Sequence, residues 1–452
     1  MYFRVIFVTK SMTEGKPLKL ILQFAVPLLL GNLLQQMYNL VDAAIVGRVL
    51  GTGALAAVGA TSSVQFLVLG FCIGICIGFG IPIAKSFGAE RLDKMRSYIF
   101  NSVLLTALFA VLITAVCSLC CTLILQMLSV PQDVFDDAYA YLIVIFLGIP
   151  FTLLYNLLSS ILRSVGDSRT PFLFLAISTV LNIGLDLLCI IVFKWGVAGA
   201  AIATVISQIA SCVIGFAYMH RKYTLLRFSL RELRLDVKTA GRILQVGAPM
   251  AIQQSIVSCG FLFLQRLVNL YGESMIAAYT VATRMENILM IPILGVQNTM
   301  ATFAGQNMGA QRPDRVSRGL GQGVLVSLSM TLVLCLCQIL GISRIIRAFQ
   351  LDEAAAAICR LHLFSSAVAI PIFAVYFPAN GMCQGVGEGF HATFFALLAL
   401  GLRVIFAYAL HNTALFGYTA VWWSQAMAWT VTLLVCYAHV FRGKWKTKSL
   451  IS

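Results

Sequence analysis

Gln35, Tyr38, Asn39 and Asp42 follow one another at helical spacing, so a single helix face would carry two amides, a phenol and a carboxyl group. Asn182 precedes Asp186 by one turn and makes a second stripe of the same kind. Both acids stand inside long apolar runs, with no Lys or Arg near their depth in that half of the chain. Two carboxylates in a low-dielectric pocket cannot both stay charged unless a proton or a sodium ion resolves the conflict. Ringed by amide, hydroxyl and phenol oxygens, such a pair has the chemistry of a coupling-ion site, with Thr204 and Asn182 as further oxygen donors.

The elements that position these groups must cross a membrane. Of 452 residues, 60% are hydrophobic and 11% charged, and the mean hydropathy is +0.91; a soluble domain carries roughly 25% charged residues. Apolar stretches of about 20 residues fall near 18–46, 54–83, 98–127, 134–161, 172–193 and 197–219, and again near 244–270, 275–304, 318–342, 354–380, 390–411 and 418–441. The expected fold is therefore all-α: twelve transmembrane helices arranged as two parallel, pseudo-symmetric six-helix bundles. Residues 1–219 would form an N-lobe, 220–243 a cytoplasmic linker, and 244–452 a C-lobe with a basic tail. At a rise of about 1.5 Å per residue, Asp42 and Asp186 lie about 6 to 10 Å below the outer surface and Thr204 about 10 Å below it.

Duplication is written in the sequence. Gly88-Ala89-Glu90-Arg91-Leu92-Asp93 recurs as Gly309-Ala310-Gln311-Arg312-Pro313-Asp314, an offset of 221, and the Arg and Asp of these loops read as loop locks. By the same offset Gly51 maps onto Gly272 and Val165-Gly166-Asp167 onto Val386-Gly387-Glu388. Repeats in transporters commonly place the substrate between them, and Gln35, Gln36, Tyr38, Asn39, Gln253, Gln254 and Glu286 are the candidate cavity liners.

Lys and Arg fix the orientation. They crowd the N-terminus, the 85–96 and 312–318 loops, the central linker and the tail, whereas the opposite connections hold only Arg48, Lys194, Arg344 and Arg347. Both termini are thus expected in the cytoplasm, in a multi-pass protein of the cell membrane. The same bias accounts for the net charge of +15 through contact with anionic lipid, without a nucleic-acid partner. Thirteen cysteines mostly interrupt apolar runs and read as packing residues.

The second half offers different charges. The seventh span has no acid, and the interior groups are Arg266, Arg284, Glu286, Arg360 and Arg403. Glu286 either pairs with Arg284 or Arg266 or faces a cavity. His362, His391 and His411 show no metal-ligand spacing, so no metal is expected and these histidines read as structural. No nucleophile and base stand at workable spacing in the spans, which argues against an enzyme and against any cofactor beyond the coupling ion. Gly70, Gly74 and Gly78 recur every fourth residue and predict a close helix contact.

With these motifs in view, the chain resembles the multidrug and toxic compound extrusion (MATE) family in its DinF-like branch. The resemblance runs from Glu14-Gly15-Lys16-Pro17 through Gln36-Met37-Tyr38-Asn39-Leu40-Val41-Asp42 and Leu162-Arg163-Ser164-Val165-Gly166-Asp167 to Gly305-Gln306-Asn307-Met308-Gly309. It implies a monomeric exporter that exchanges organic, often cationic and amphipathic, compounds for protons or sodium by alternating access. The family's acidic N-lobe cluster carries over to Asp42, Asn182, Asp186 and Thr204, with Asn156 as a further match. An acid-free seventh span departs from the NorM-like branch and shifts coupling to the N-lobe. The rival expectation is a flippase for lipid-linked saccharide, for which Arg360 and Arg403 would line a cationic cavity.

Overall fold

The computed structural model describes residues 11–223 and 235–447, with the side chains of 257–263 outside the description. Arg227, Arg231 and Arg234 of the expected linker, and Arg4, Lys10 and Lys448 of the termini, lie outside the described residues. Every element is helical among the described residues. The first half holds α1 (Pro17–Val49), α2 (Thr52–Gly88), α3 (Leu92–Leu119), the short α4 (Cys121–Met127), α5 (Gln132–Leu147), α6 (Ile149–Ser164), α7 (Arg169–Leu187) and α8 (Gly196–Lys222). The second holds α9 (Val237–Asn269), α10 (Glu273–Gly309), α11 (Pro313–Ala348), α12 (Glu353–Gly385), α13 (Gly389–Leu410) and α14 (Ala420–Arg442). Among the described residues ten helices are long and apolar enough to cross a membrane, and α5 with α6 forms one further span bent by 45°. The break falls at Gly148-Ile149-Pro150, where proline opens the new helix. Together with the 33-residue α9, this makes the twelve spans of the expected layout. By contrast Pro27, Pro249, Pro292, Pro371 and Pro378 stand inside uninterrupted helices.

The backbone repeats at the offset of 221. Gly51 and Gly272 start α2 and α10 with φ of 90° and 84°, and those two helices have the same length of 37 residues. Glu90 and Gln311 both take φ 56°, and Gly166 and Gly387 both take φ 87°. These left-handed positions end a helix and turn the chain into the next one.

The two compact units do not follow the division at 219 and 244. One contains Leu30–Gln254, and the other contains Met12–Leu29 with Ser255–Ser452. Each unit thus includes the first half of the helix that opens the other repeat, and the reason is close backbone packing. In the first unit a Cβ on Gly78 would lie 2.4 Å from Gly247 Cα, and one on Gly74 would lie 2.6 Å from Met250 O, so α2 and the start of α9 touch main chain to main chain. The expected contact of the Gly70, Gly74 and Gly78 ridge is this seam. In the second unit a Cβ on Gly295, the repeat partner of Gly74, would lie 2.5 Å from the Leu29 side chain of α1.

A strap of residues completes the second unit. The Met12 amide donates to Gln306 Oε1 (2.8 Å), Asn307 donates to Met12 O (3.1 Å), and Arg312 and Arg315 donate to the carbonyls of Thr13 and Gly15 at 2.9 and 3.0 Å. The arginines of this loop are locks, as their recurrence implied, and they explain the Gly305-Gln306-Asn307-Met308-Gly309 motif.

Ahead of α9, Asp236 donates its backbone N–H to Asn101 Oδ1 (3.0 Å), and its carboxylate caps the helix by accepting from Lys238 N (3.1 Å) and the Thr239 hydroxyl. The Thr239 hydroxyl chiefly holds this carboxyl below the usual aspartate range. A lowered carboxyl stabilises the fold fully above its unfolded value, about pH 4, and the stabilisation is lost as pH falls through the folded value. Protection of the amides of residues 238–241, expressed relative to the intrinsic exchange rate at each pH, should therefore fall on acidification and in Asp236→Ala at neutral pH; unchanged protection in that variant would refute the cap.

The glycine seam makes a second prediction. Gly78→Val should destabilise the detergent-purified protein by about 1–3 kcal/mol, read as a lower unfolding temperature, whereas Gly59→Ala, with open space at its Cβ, should not. Equal unfolding temperatures for the two would remove the seam from the account.

Candidate functional site

All of the cluster around the two acids belongs to the first unit. Tyr38 and Asp42 come from the second half of α1, Gln65 from α2, Tyr141 from α5, Asn182 and Asp186 from α7, and Thr204 from α8. The carboxyl groups of Asp42 and Asp186 are neighbours, close enough to interact electrostatically. Asp186 is fully buried and Asp42 half-buried. With its amide turned to satisfy both neighbours, Asn182 donates to Asp186 Oδ2 (2.9 Å) and accepts from Thr204 N (3.2 Å). The Thr204 hydroxyl pairs with Tyr38 OH at 3.0 Å. One chain of hydrogen bonds thereby ties α1, α7 and α8 to the carboxyl pair.

Local sequence explains the arrangement. Asn182 and Asp186 point the same way because they are four apart on α7, and directly after them the helix widens into a π-turn, Leu188–Val192. Such turns are rare and occur mostly at functional positions. One oxygen of each carboxyl group, Oδ1 of Asp42 and Oδ1 of Asp186, is buried without a hydrogen-bond donor among the described residues. Opposed acidic oxygens of this kind are suited to a shared proton or a small cation.

The expected residues divide clearly. Asp42, Asp186, Asn182 and Thr204 are brought together, and Tyr38, expected as a cavity liner, joins them. Asn156 is on α6 and donates to Thr152 O of its own helix (2.8 Å), apart from the bonds around the carboxyl pair. Gln35 donates to Asn39 Oδ1 at 3.4 Å on the more open face of α1, where Gln36 and Asn39 are exposed. Gln253 is buried, its Oε1 without a partner among the described residues, and Gln254 is exposed beside Gly70. Sequence reasoning missed Tyr141 and Gln65, whose side chains stand together beside the acids. A search for charges passes over neutral donors; the available signal was Gln65 one turn after Thr61 in an apolar run, where the two indeed bond at 2.8 Å.

Glu286 sits in a separate cluster of the second unit. Neither Arg284 nor Arg266 is its partner here: His362 Nε2 stands 3.1 Å from its Oε1, and Arg403 and Gln425 also face it. His362 stacks on Trp422 (4.6 Å between centroids) and on Tyr279 (5.7 Å), and Arg403 stands close to Tyr279. His362 is thus the hydrogen-bond partner of Glu286, while His411 receives the Tyr271 hydroxyl on its carbonyl at 3.1 Å. His391 lies against His439 and Glu388, a grouping that linear spacing concealed.

The family model of MatE matches residues 27–188 and 249–409, one copy on each repeat. The chain belongs to the MatE family. Curated relatives of this MatE protein include "Probable multidrug resistance protein YoeA" of Bacillus subtilis, 29% identical with 94% of each chain covered, and "Probable multidrug resistance protein YpnP" of the same organism, 29% identical with 97% of this chain and 98% of the other covered. "Multidrug export protein MepA" of Staphylococcus aureus is 24% identical over 94% and 93%. Among solved structures, one titled as the outward-facing conformation of a multidrug resistance MATE family transporter superposes with a TM-score of 0.87 at 25% identity, covering 97% of this chain and 98% of that one. A crystal structure of MATE in the straight conformation gives 0.85 at 24%, with the same coverage. The chain is a multi-pass membrane transporter of this family.

The Glu286 cluster predicts a stability effect. Glu286→Ala removes the carboxylate that faces buried His362 and half-buried Arg403, which should cost about 3 kcal/mol in a detergent unfolding experiment. An unfolding temperature equal to wild type would show that the pair contributes nothing.

Proposed function

We propose that this MatE protein is a secondary antiporter of the cell membrane, a monomer of the DinF-like branch with both termini in the cytoplasm. It exports amphipathic organic compounds, cations among them, in exchange for protons or sodium ions. The observation that carries this reading is the closeness of the Asp42 and Asp186 carboxyl groups inside the first unit. Uptake of a proton or sodium ion from outside cancels their repulsion. The bonds from Asp186 through Asn182 and Thr204 to Tyr38 then transmit the change to α7, α8 and α1, whose repacking releases substrate outward. Loss of the ion to the cytosol resets the pair. Substrate contacts are assigned to the amides of Gln35, Gln36, Asn39, Gln253 and Gln254, and the printed names of the relatives support a multidrug range. Against the flippase reading stands the engagement of Arg403 with Glu286 and Tyr279, which commits its charge inside the second unit.

Proteoliposomes loaded with a fluorescent organic cation, under an imposed pH gradient and separately a sodium gradient, test the proposal. Wild type should move the dye under one or both gradients, and Asp42→Asn and Asp186→Asn should fall to background while inserting normally. Efflux at wild-type rate in either variant removes the coupling role.

A further inference from the structure

At matching positions the two repeats carry different chemistry. In the first, Asp167 accepts from Arg169 N and Thr170 N, both at 3.0 Å, and from the hydroxyls of Thr170 and Tyr223. Its carboxylate is therefore a helix cap for α7. At the offset of 221 its counterpart is Glu388, that of Thr170 is His391, and that of Tyr218 is His439. The correspondence holds in space: Phe174 meets Tyr218 edge-on at 5.7 Å, and Phe395, its counterpart, meets His439 edge-on at 5.7 Å. An Asp, a hydroxyl and a phenol have become a Glu and two imidazoles.

This set is gathered at the start of α13 and the end of α14. Glu388 is 3% exposed and occupies the N-cap of α13 without a side-chain capping bond; its longer arm reaches His439 Nε2 at 2.6 Å instead. His391 stacks on His439 with 4.4 Å between ring centroids. One ligand atom from each of the three residues lies within 4.8 Å of the others. Zinc held at about 2.0–2.2 Å by nitrogen and oxygen needs its ligand atoms about 3.3 Å apart in a tetrahedron, so modest rotation of two rings and one carboxylate closes the shell. Two imidazoles and a carboxylate are a donor set for first-row divalent metals of the zinc type, with a fourth position left for water.

We propose that Glu388, His391 and His439 form a binding site for a divalent transition metal of the zinc class, joining α13 to α14 beside the basic tail. The metal replaces the hydrogen-bonded contact between Glu388 and His439, and each imidazole offers its neutral nitrogen. In the first repeat the corresponding helix start is held by hydroxyl hydrogen bonds from Thr170 and Tyr223 to Asp167; the Tyr223 position is Lys444 in the second repeat, and His439, at the Tyr218 position, reaches Glu388 instead. The metal site is independent of the carboxyl pair in the other unit.

The test uses the full-length transporter in detergent, free of any histidine tag and stripped by a chelator. Titration with cobalt(II) should give one equivalent of bound metal with the strong visible bands of a four-coordinate ion, displaced by zinc(II), and zinc should raise the unfolding temperature. His391→Thr and His439→Tyr install the residues that stand at the matching positions of the first repeat; each removes one of three ligands and should weaken metal binding by more than the roughly 10–100-fold that loss of an outer-shell partner costs, and abolish the zinc-dependent rise. X-ray absorption of the zinc-loaded wild type should show two imidazoles and one carboxylate. Absence of stoichiometric cobalt binding, sulfur or single-imidazole coordination, or undiminished affinity in the double variant overturns the site.

Discussion

Two carboxyl groups held beside each other inside an apolar bundle set the terms for everything around them in the first unit. Lipid and packed methyl groups cannot screen their repulsion, so the surrounding groups must be oxygens and amides that tolerate either charge state. Asn182, Thr204, Tyr38 and, beside them, Tyr141 with Gln65 meet that requirement. The same chain of bonds runs from α7 through α8 to α1, so the three helices share one polar network.

That site depends in turn on how α1 is divided. Its first half packs with the second unit, where Leu29 meets Gly295, and its second half carries Tyr38 and Asp42 into the first. The reciprocal seam of Gly74 and Gly78 on the start of α9 is possible only because a missing Cβ lets main chain approach main chain. A long helix shared in this way links the strap at Met12 to the carboxyl pair along one continuous backbone.

The repeats keep their backbone and diverge in chemistry. Left-handed turns at Glu90 and Gln311 and at Gly166 and Gly387 agree within a degree, yet the acid pair has no counterpart among the described residues of the second unit, which buries Glu286 against His362 and Arg403 instead. Backbone geometry is fixed by sterics that both copies share, whereas buried polar groups need only be satisfied locally, and many combinations satisfy them.

Hydrophobic run length, glycine spacing and the distribution of Lys and Arg are local properties, so the helical membrane fold, the duplication at 221 and the stripes that put Asp42 and Asp186 on helix faces could all be read from the order of residues. The four-residue spacing of Asn182 and Asp186 was equally legible, because a helix has one period. Partner choice was not. Which cation faces Glu286, how Tyr141 and Gln65 reach the acids, why Asn156 stands aside, and how His439 comes to lie beside Glu388 and His391 all depend on contacts between helices far apart in the chain. Those contacts emerge only when the helices pack, since the rotation of each helix about its axis is set by interlocking side chains and glycine seams that no linear pattern specifies.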